Sequence, residues 1–292
     1  MARTDDPVAL NDWYAIETLS DITIAPRRTR LLGQDLVARR TAAGELLVQE
    51  FFAGETLGPA LPVRARYGCL WTSLGTPRRE LFDIAESNMP DHRMVVCGWF
   101  RMRTSGPRLV ENFLDMAHFP FVHTDILGAE PHTEVPQYRC EIRREVDEVW
   151  ATDCRFFQPR IAATEREGDF AQLTYRVPSP FVVMLYRVCP SEPDKLDAIA
   201  LFIQPIEPDL CRAQPVMYLV DRVSAFNALL KFEQVIFLQD RIIVENQRPV
   251  LLPLEPGAEI PTRADAVSVA YRRWLKEKGL RFGIEQPSRE RG

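Results

Sequence analysis

Two of the four histidines in this 292-residue chain stand close together, in Val110-Glu111-Asn112-Phe113-Leu114-Asp115-Met116-Ala117-His118-Phe119-Pro120-Phe121-Val122-His123. A carboxylate, Asp115, comes just before the first of them. Neutral imidazole is a good ligand for divalent first-row metals. Two imidazoles and one carboxylate gathered on one side of an ion leave positions open for a small molecule, which suits ferrous iron. The same spacing has a plainer reading. Asn112, Asp115 and His118 recur at i, i+3 and i+6 beside an apolar stripe of Leu109, Val110, Phe113, Leu114 and Ala117, and the wet face of an amphipathic helix looks the same.

The element that must carry these groups is a helix opening at Gly106-Pro107, because proline is tolerated in a first turn. Pro120 disturbs it beyond His118, so His123 is expected to reach the same place from a bent exit. A second helix is predicted over residues 221–247, with an apolar stripe running from Phe226 and Leu229 through Phe232, Phe237 and Val244. Asp240 interrupts that stripe next to Ile236 and Phe237. A carboxylate there is costly to bury unless it is paired or ligates a metal, and a surface ion pair with Arg241 is the other reading. Glu233, Gln234 and Ile236 precede Asp240 by one to two turns and are expected to line a pocket.

Glu111-Asn-Phe-Leu-Asp-Met-Ala-His-Phe-Pro-Phe-Val-His123 resembles the mononuclear-iron motif in the catalytic α subunits of Rieske-type non-haem iron oxygenases. Gln239-Asp240-Arg241-Ile242-Ile243-Val244-Glu245-Asn246-Gln247 resembles that family's second signature. The resemblance implies that His118, His123 and Asp240 are ligands of one Fe(II), with O2 as co-substrate. It further implies that Asp115 bridges the electron path from a Rieske cluster to a ligand histidine and that Asn112 helps to position the region. Within the family the arrangement is most similar to the Rieske-less catalytic components of methylxanthine N-demethylation. The implied activity is therefore a monooxygenase that hydroxylates or oxidatively N-demethylates a small heteroaromatic substrate. A non-catalytic subunit of a larger oxygenase, or a ligand-binding protein, is the alternative.

The N-terminal part carries strand-like runs: Asp12 to Ile16, a hairpin over Thr29 to Arg40 turning at Gly33-Gln34, Leu46 to Gln49 after a turn at Ala43-Gly44-Glu45, and Tyr67 to Gly75. These resemble the β framework of the family's Rieske domain. A [2Fe–2S] centre of that type needs two cysteines and two histidines. Residues 1–90 offer only Cys69 and no histidine. The cluster loops would stand between Val48 and Tyr67, where the chain has only the short segment Gln49 to Pro62. No [2Fe–2S] cluster is expected in this chain. Its electrons must come from a separate Rieske protein, a reductase carrying an extra Rieske domain, or a cluster-bearing sister α subunit, within a trimer or mixed oligomer.

Between those regions, residues 77–106 read as a connector, with His92 on the surface and His132 in a loop after the motif. Six strands follow: Tyr138 to Val146, Val149 to Phe157, Phe170 to Val177, Phe181 to Val188, Ala198 to Ile206 and Ala213 to Val220. Pro249 and Pro253 close the long helix. Thr262 to Asp265 caps a last helix, Ala266 to Lys278, with Val267, Ala270, Tyr271, Trp274 and Leu275 inward. The expected fold is α+β: a helix-grip-like catalytic domain over residues 81–292, with a curved antiparallel sheet around a long C-terminal helix. A reduced Rieske-like β domain precedes it over residues 1–80.

Composition excludes other classes. Lys plus Arg number 36 against 41 Asp plus Glu, a net charge of −5 without a basic run, which disfavours nucleic acid as a partner. No apolar run reaches the length of a membrane span. The six cysteines form no Cys-x-x-Cys pair and read as reduced thiols. The start of the chain, Met1-Ala2-Arg3-Thr4-Asp5-Asp6, has no apolar signal core, and a cytoplasmic location is expected. No Walker loop or Gly-x-Gly-x-x-Gly is present, so no nucleotide is expected.

Overall fold

The computed structural model describes residues 3–159, 168–189 and 192–286; Met1 and Ala2 of the acidic start lie outside these. After a single helical turn, α1 (Pro7–Leu10), the chain lays down β1 (Tyr14–Thr18), β2 (Arg27–Leu31), β3 (Gln34–Arg40), β4 (Leu46–Phe52), β5 (Thr56–Ala60), β6 (Val63–Arg66) and β7 (Cys69–Thr72). β2 to β5 form a four-stranded meander, and β7 pairs with both β1 and β6. Two hairpins turn on residues with positive φ, Leu32-Gly33 and Tyr67-Gly68. That is the geometry that lets a two-residue connection follow the strand twist. The first turn therefore falls one residue earlier than Gly33-Gln34. Tyr67-Gly68, expected at the start of a strand, is the turn itself.

The segment expected as a connector contains two strands, β8 (Arg93–Val96) and β9 (Phe100–Met102). They pair with the last strand of the sheet formed by β10 (Arg139–Arg143), β11 (Glu148–Gln158), β12 (Asp169–Ser179), β13 (Val182–Cys189), β14 (Glu192–Glu207) and β15 (Leu210–Leu219). The six expected strands are all present, and neighbours in sequence are neighbours in the antiparallel sheet. Alternation gives each strand two faces. On one, Val182, Met184, Ala200 and Phe202 pack against Trp13 and Trp71 of the N-terminal strands. On the other, Tyr175, Val183, Leu201 and Ile203 join a core with the helices.

Those helices are α2 (Gly106–Leu114), α3 (Phe119–Val122), α4 (Phe226–Asn246) and α5 (Ala266–Lys278). Ser105 caps α2 by accepting from Arg108 N, and Gly106 lies so close to Phe181 that a Cβ would meet its ring at 2.7 Å. The expected capping box at Thr262 and Asp265 closes the 3-10 turn Arg263–Asp265 that leads into α5 rather than α5 itself, and the five expected inward residues of α5 are buried. α4 buries a narrower stripe than its composition suggests: Leu229, Glu233, Phe237 and Val244 face inward, while Phe226 and Ile243 stay 50% and 46% exposed. Among the described residues no helix is long and apolar enough to cross a membrane.

Candidate metal centre

α2 ends at Leu114, earlier than the sequence pattern suggests. The Asp115 side chain bends back to accept from Ala117 N at 2.7 Å, a local bond that competes with continuing the helix. Asp115 and His118 therefore stand on a turn beyond the helix and not on a helical stripe with Asn112. Pro120 opens α3, where its missing N–H is no loss, and His123 terminates that short helix. His123 O accepts from Ile126 and Leu127, folding the next loop back over α3. Gly128 of this loop rests against the Phe119–Pro120 peptide, with an added Cβ only 2.5 Å from Pro120 N. Phe119 is wedged edge-on against Phe156 of β11 with ring centres 5.4 Å apart, which fixes the turn to the sheet.

This turn and the inner face of α4 bring His118, His123 and Asp240 together. One ligand atom from each lies within 4.8 Å of the others. His118 Nε2 is 3.3 Å and His123 Nε2 3.0 Å from Asp240 Oδ1. Each ring is held from behind: His118 Nδ1 faces Asp115 Oδ2 at 3.1 Å, and His123 Nδ1 faces Gln239 Oε1 at 2.9 Å. Acceptors at both Nδ1 positions put the proton there and leave the Nε2 lone pairs turned to the shared centre. Ligands at right angles on an ion with bonds of about 2.1 Å are about 3 Å apart. The donor set fits a first-row divalent ion.

The electrostatics agree with a site made for a cation. Burial works against charging His118, yet its bonds to Asp115 and Asp240 outweigh burial and carry its pKa up to about 9, so without an ion a proton takes the Nε2 position, and metal binding must release it. Burial likewise opposes the Asp240 carboxylate, but the two imidazoles hold its pKa below the usual value. A carboxylate that stays ionised while buried is what a cation site requires.

Next to the turn a cavity of about 860 Å³ opens, lined by Asn112, Asp115, His118, Ile243, Ile260 and Val269 among others. Its floor is a buried charge network. Arg108, with 0% of its side chain exposed, meets Glu111 and Glu259, and Arg272 meets the same two carboxylates. This network ties α2 to α5 and to the segment after α4.

Residues 102–281 match a family model described as the vanillate O-demethylase oxygenase C-terminal domain. Over 286 residues, 96% of this chain and 98% of the other, the sequence is 42% identical to a probable methylxanthine N7-demethylase, NdmC, of Pseudomonas sp. (strain TJI-51). The chain belongs to the Rieske-type oxygenase family. Its fold is shared with NdmB of Pseudomonas putida CBB5, at a TM-score of 0.73 and 18% identity over 94% of this chain and 92% of that one. It is shared also with dicamba monooxygenase bound to dicamba, at 0.70 and 14% over 92% and 97%. As a Rieske-type oxygenase the protein is an oxidoreductase of a family that works with non-haem iron and O2.

Of the residues singled out in the sequence, this oxygenase brings His118, His123, Asp240 and Asp115 into one cluster. Asn112 lies on the wall of the adjoining cavity, and its backbone carbonyl accepts from Asp115 N at 3.2 Å. His92 is not a free surface group: its ring is buried between Asp91 and the Leu196 carbonyl. His132 stacks 4.3 Å from the Phe157 ring. Gln234 turns away to donate to Cys97 O at 2.9 Å, whereas Glu233 is buried on the inner face. Two groups escape a reading of the sequence. Gln239 has no signal beyond its place before Asp240. The Tyr175 hydroxyl is buried without a partner among the described residues, and burial first, then Cys154 and Asp115, raises its pKa.

Proposed function

We propose that this chain is the iron-bearing component of an oxidative demethylase, acting on an N-methylated heteroaromatic of the methylxanthine kind. Its Fe(II) is held by His118, His123 and Asp240. The observation that carries the reading is the convergence of these three side chains from two distant segments, with an acceptor behind each imidazole. When bound, ferrous iron supplies the place where O2 is activated, with two electrons from outside, for insertion of oxygen into a C–H bond. Hydroxylating an N-methyl group yields a carbinol that releases formaldehyde, with the second oxygen atom leaving as water.

The chain's own residues supply the rest. Asp115 and Gln239 hold the rings, since acceptors behind a ligand histidine set its tautomer and basicity. Asp115 links the cavity wall to His118 and is the electron bridge from a Rieske centre. Ile243, Ile260 and Val269, respectively 46%, 92% and 45% exposed, give that cavity an apolar rim against which a cluster-bearing partner can seat. The donor is a separate Rieske protein, a reductase with an extra Rieske domain, or a sister α subunit. Exposed apolar side chains elsewhere, Phe121 at 67% and Ile242 at 66%, favour an oligomer. Large exposed apolar groups clustered together mark contact surfaces.

We read residues 1–80 as the remnant of a Rieske-like domain and 81–292 as the iron domain. In support, β4 and β5 are joined directly through the Gly54 turn where cluster loops would stand. Cys69, Cys97, Cys140, Cys154 and Cys211 stand as free thiols, which accords with the reducing cytoplasm. The test is reconstitution with ferrous iron, O2, a Rieske-bearing reductase and 7-methylxanthine. Formaldehyde release that requires all four supports the reading. Release unaffected by omitting the Rieske donor, or no release from any methylxanthine, refutes it.

A further inference from the structure

Glu233 is a carboxyl group that the iron site does not use and that nothing in the fold explains. It is 7% exposed and lies on the inward stripe of α4 with Leu229 and Phe237. Seven residues before Asp240, it is two helical turns away on the same face, about 10 Å along the axis. Among the described residues no donor hydrogen-bonds it. The groups it feels are Asp240, Arg187 and His123, at a distance, and its own charge reaches Cys97 after β8. Its oxygens are not among the fully enclosed side-chain atoms that lack a partner, so they open onto space that solvent or a ligand can enter, and a polar group drawn off the surface finds its partner there.

The surroundings suit such a partner. On the sheet opposite, Leu185 and Ile199 are directly paired across β13 and β14. They share the inner face with Val183 and Leu201 by strand alternation. Both are only half-buried although they sit on central strands, so part of each side chain stays accessible on this face. Next along the same face, Arg187 and Asp197 pair at 2.8 Å. The cleft thus has apolar walls for a flat ring, the metal ligands at one end and one unsatisfied carboxyl at the other.

We propose that Glu233 recognises the substrate, accepting a hydrogen bond from a ring N–H of a heteroaromatic lactam whose methyl group points at the metal centre. This rests on the functional reading above and sharpens it. Either protonation state can accept from N–H. Burial raises the pKa to about 7, and the neutral acid can in addition donate to the neighbouring carbonyl, matching the N–H/C=O edge on both sides. A ring methylated at that nitrogen offers no donor and leaves Glu233 unsatisfied. A site built to hydrogen-bond an N–H discriminates strongly against the analogue that lacks it.

The experiment is equilibrium binding by calorimetry to the iron-loaded and the metal-free protein, using theobromine and caffeine, which differ by one methyl on a lactam nitrogen. Wild type is expected to bind theobromine at least tenfold more tightly than caffeine. Glu233→Leu is expected to abolish the difference, and Glu233→Gln, which keeps an acceptor, to retain most of it. Thermal unfolding of both variants checks that each is folded, and Glu233→Gln carries the test if Glu233→Leu is not. Equal affinity for the two ligands in wild type, or a preference unchanged in Glu233→Leu, overturns the inference while leaving the oxygenase reading intact. Should neither xanthine bind wild type, the substrate class and this inference fall together.

Discussion

Replacing Arg108 by Met keeps the buried stem and removes the charge at the start of the helix that leads to the His118–His123 turn. The guanidinium makes four contacts: Nη1 to Glu111 Oε2 at 3.1 Å and to Glu259 Oε2 at 3.1 Å, Nη2 to Glu259 Oε1 at 2.6 Å, and Nε to the Pro249 carbonyl at 3.1 Å. Burial tends to raise the Glu259 pKa, and the bonds from Arg108 and Arg272 pull it below its ordinary value. Removing one partner of a buried ion pair typically costs about 3–5 kcal/mol because the other charge is stranded. Arg272 still reaches both carboxylates, and the Glu259 side chain is 29% exposed. Arg108→Met should therefore fall at the lower end, at about 3 kcal/mol. Urea unfolding at constant slope measures it. Adding Glu259→Gln removes the stranded charge and should recover about half of the loss, since a neutral amide is cheaper to bury than a carboxylate. A loss below about 1 kcal/mol, or a double variant no more stable than the single one, would refute the claim that this network holds α2 in place.

Three further outcomes follow from the same geometry. Glu233 is protonated in both states below about pH 4.5; above that the unfolded chain releases its proton while the folded one holds it until about pH 7. Stability should thus decline with rising pH by up to about 3 kcal/mol in the metal-free protein, and urea titrations of Glu233→Gln between pH 5 and 8 should lack this decline; parallel curves would contradict it. Gln239→Leu takes the acceptor from His123 Nδ1 and should weaken Fe(II) binding about 10–100-fold. Equilibrium competition with a chelator measures this, and unchanged affinity means the ring needs no such support. Gly128→Ala drives a Cβ into the Pro120 backbone and should cost about 1–3 kcal/mol, read as a lower melting temperature; a wild-type melting temperature would show that the loop gives way.

Much of this site is legible in the sequence because its chemistry is local. His118 and His123 share one turn, and six sheet strands announce themselves by alternation that each strand carries alone. What escapes depends on distant partners or on small local bonds. β8 and β9 are short and lie among polar residues; only pairing with β15 makes them strands. The end of α2 is decided by one side-chain bond from Asp115, which helical periodicity does not register. Asp240 stands out as a carboxylate in an apolar stripe, but only family resemblance joins it to histidines more than a hundred residues earlier. Gln239 gives no sign, since its role exists only once α4 lies beside α3. The apolar stripe of α4 looks wider in the sequence than it is, because exposed Leu and Ile are spelled the same as buried ones.

The central claim is that His118, His123 and Asp240 together form one ferrous site. Anaerobic loading with Fe(II), followed by gel filtration and metal analysis, tests it most directly in wild type, His118→Ala and Asp240→Ala, each confirmed as folded by circular dichroism. One iron per chain in wild type and almost none in either variant is the expected result. Full iron in both variants would contradict the account.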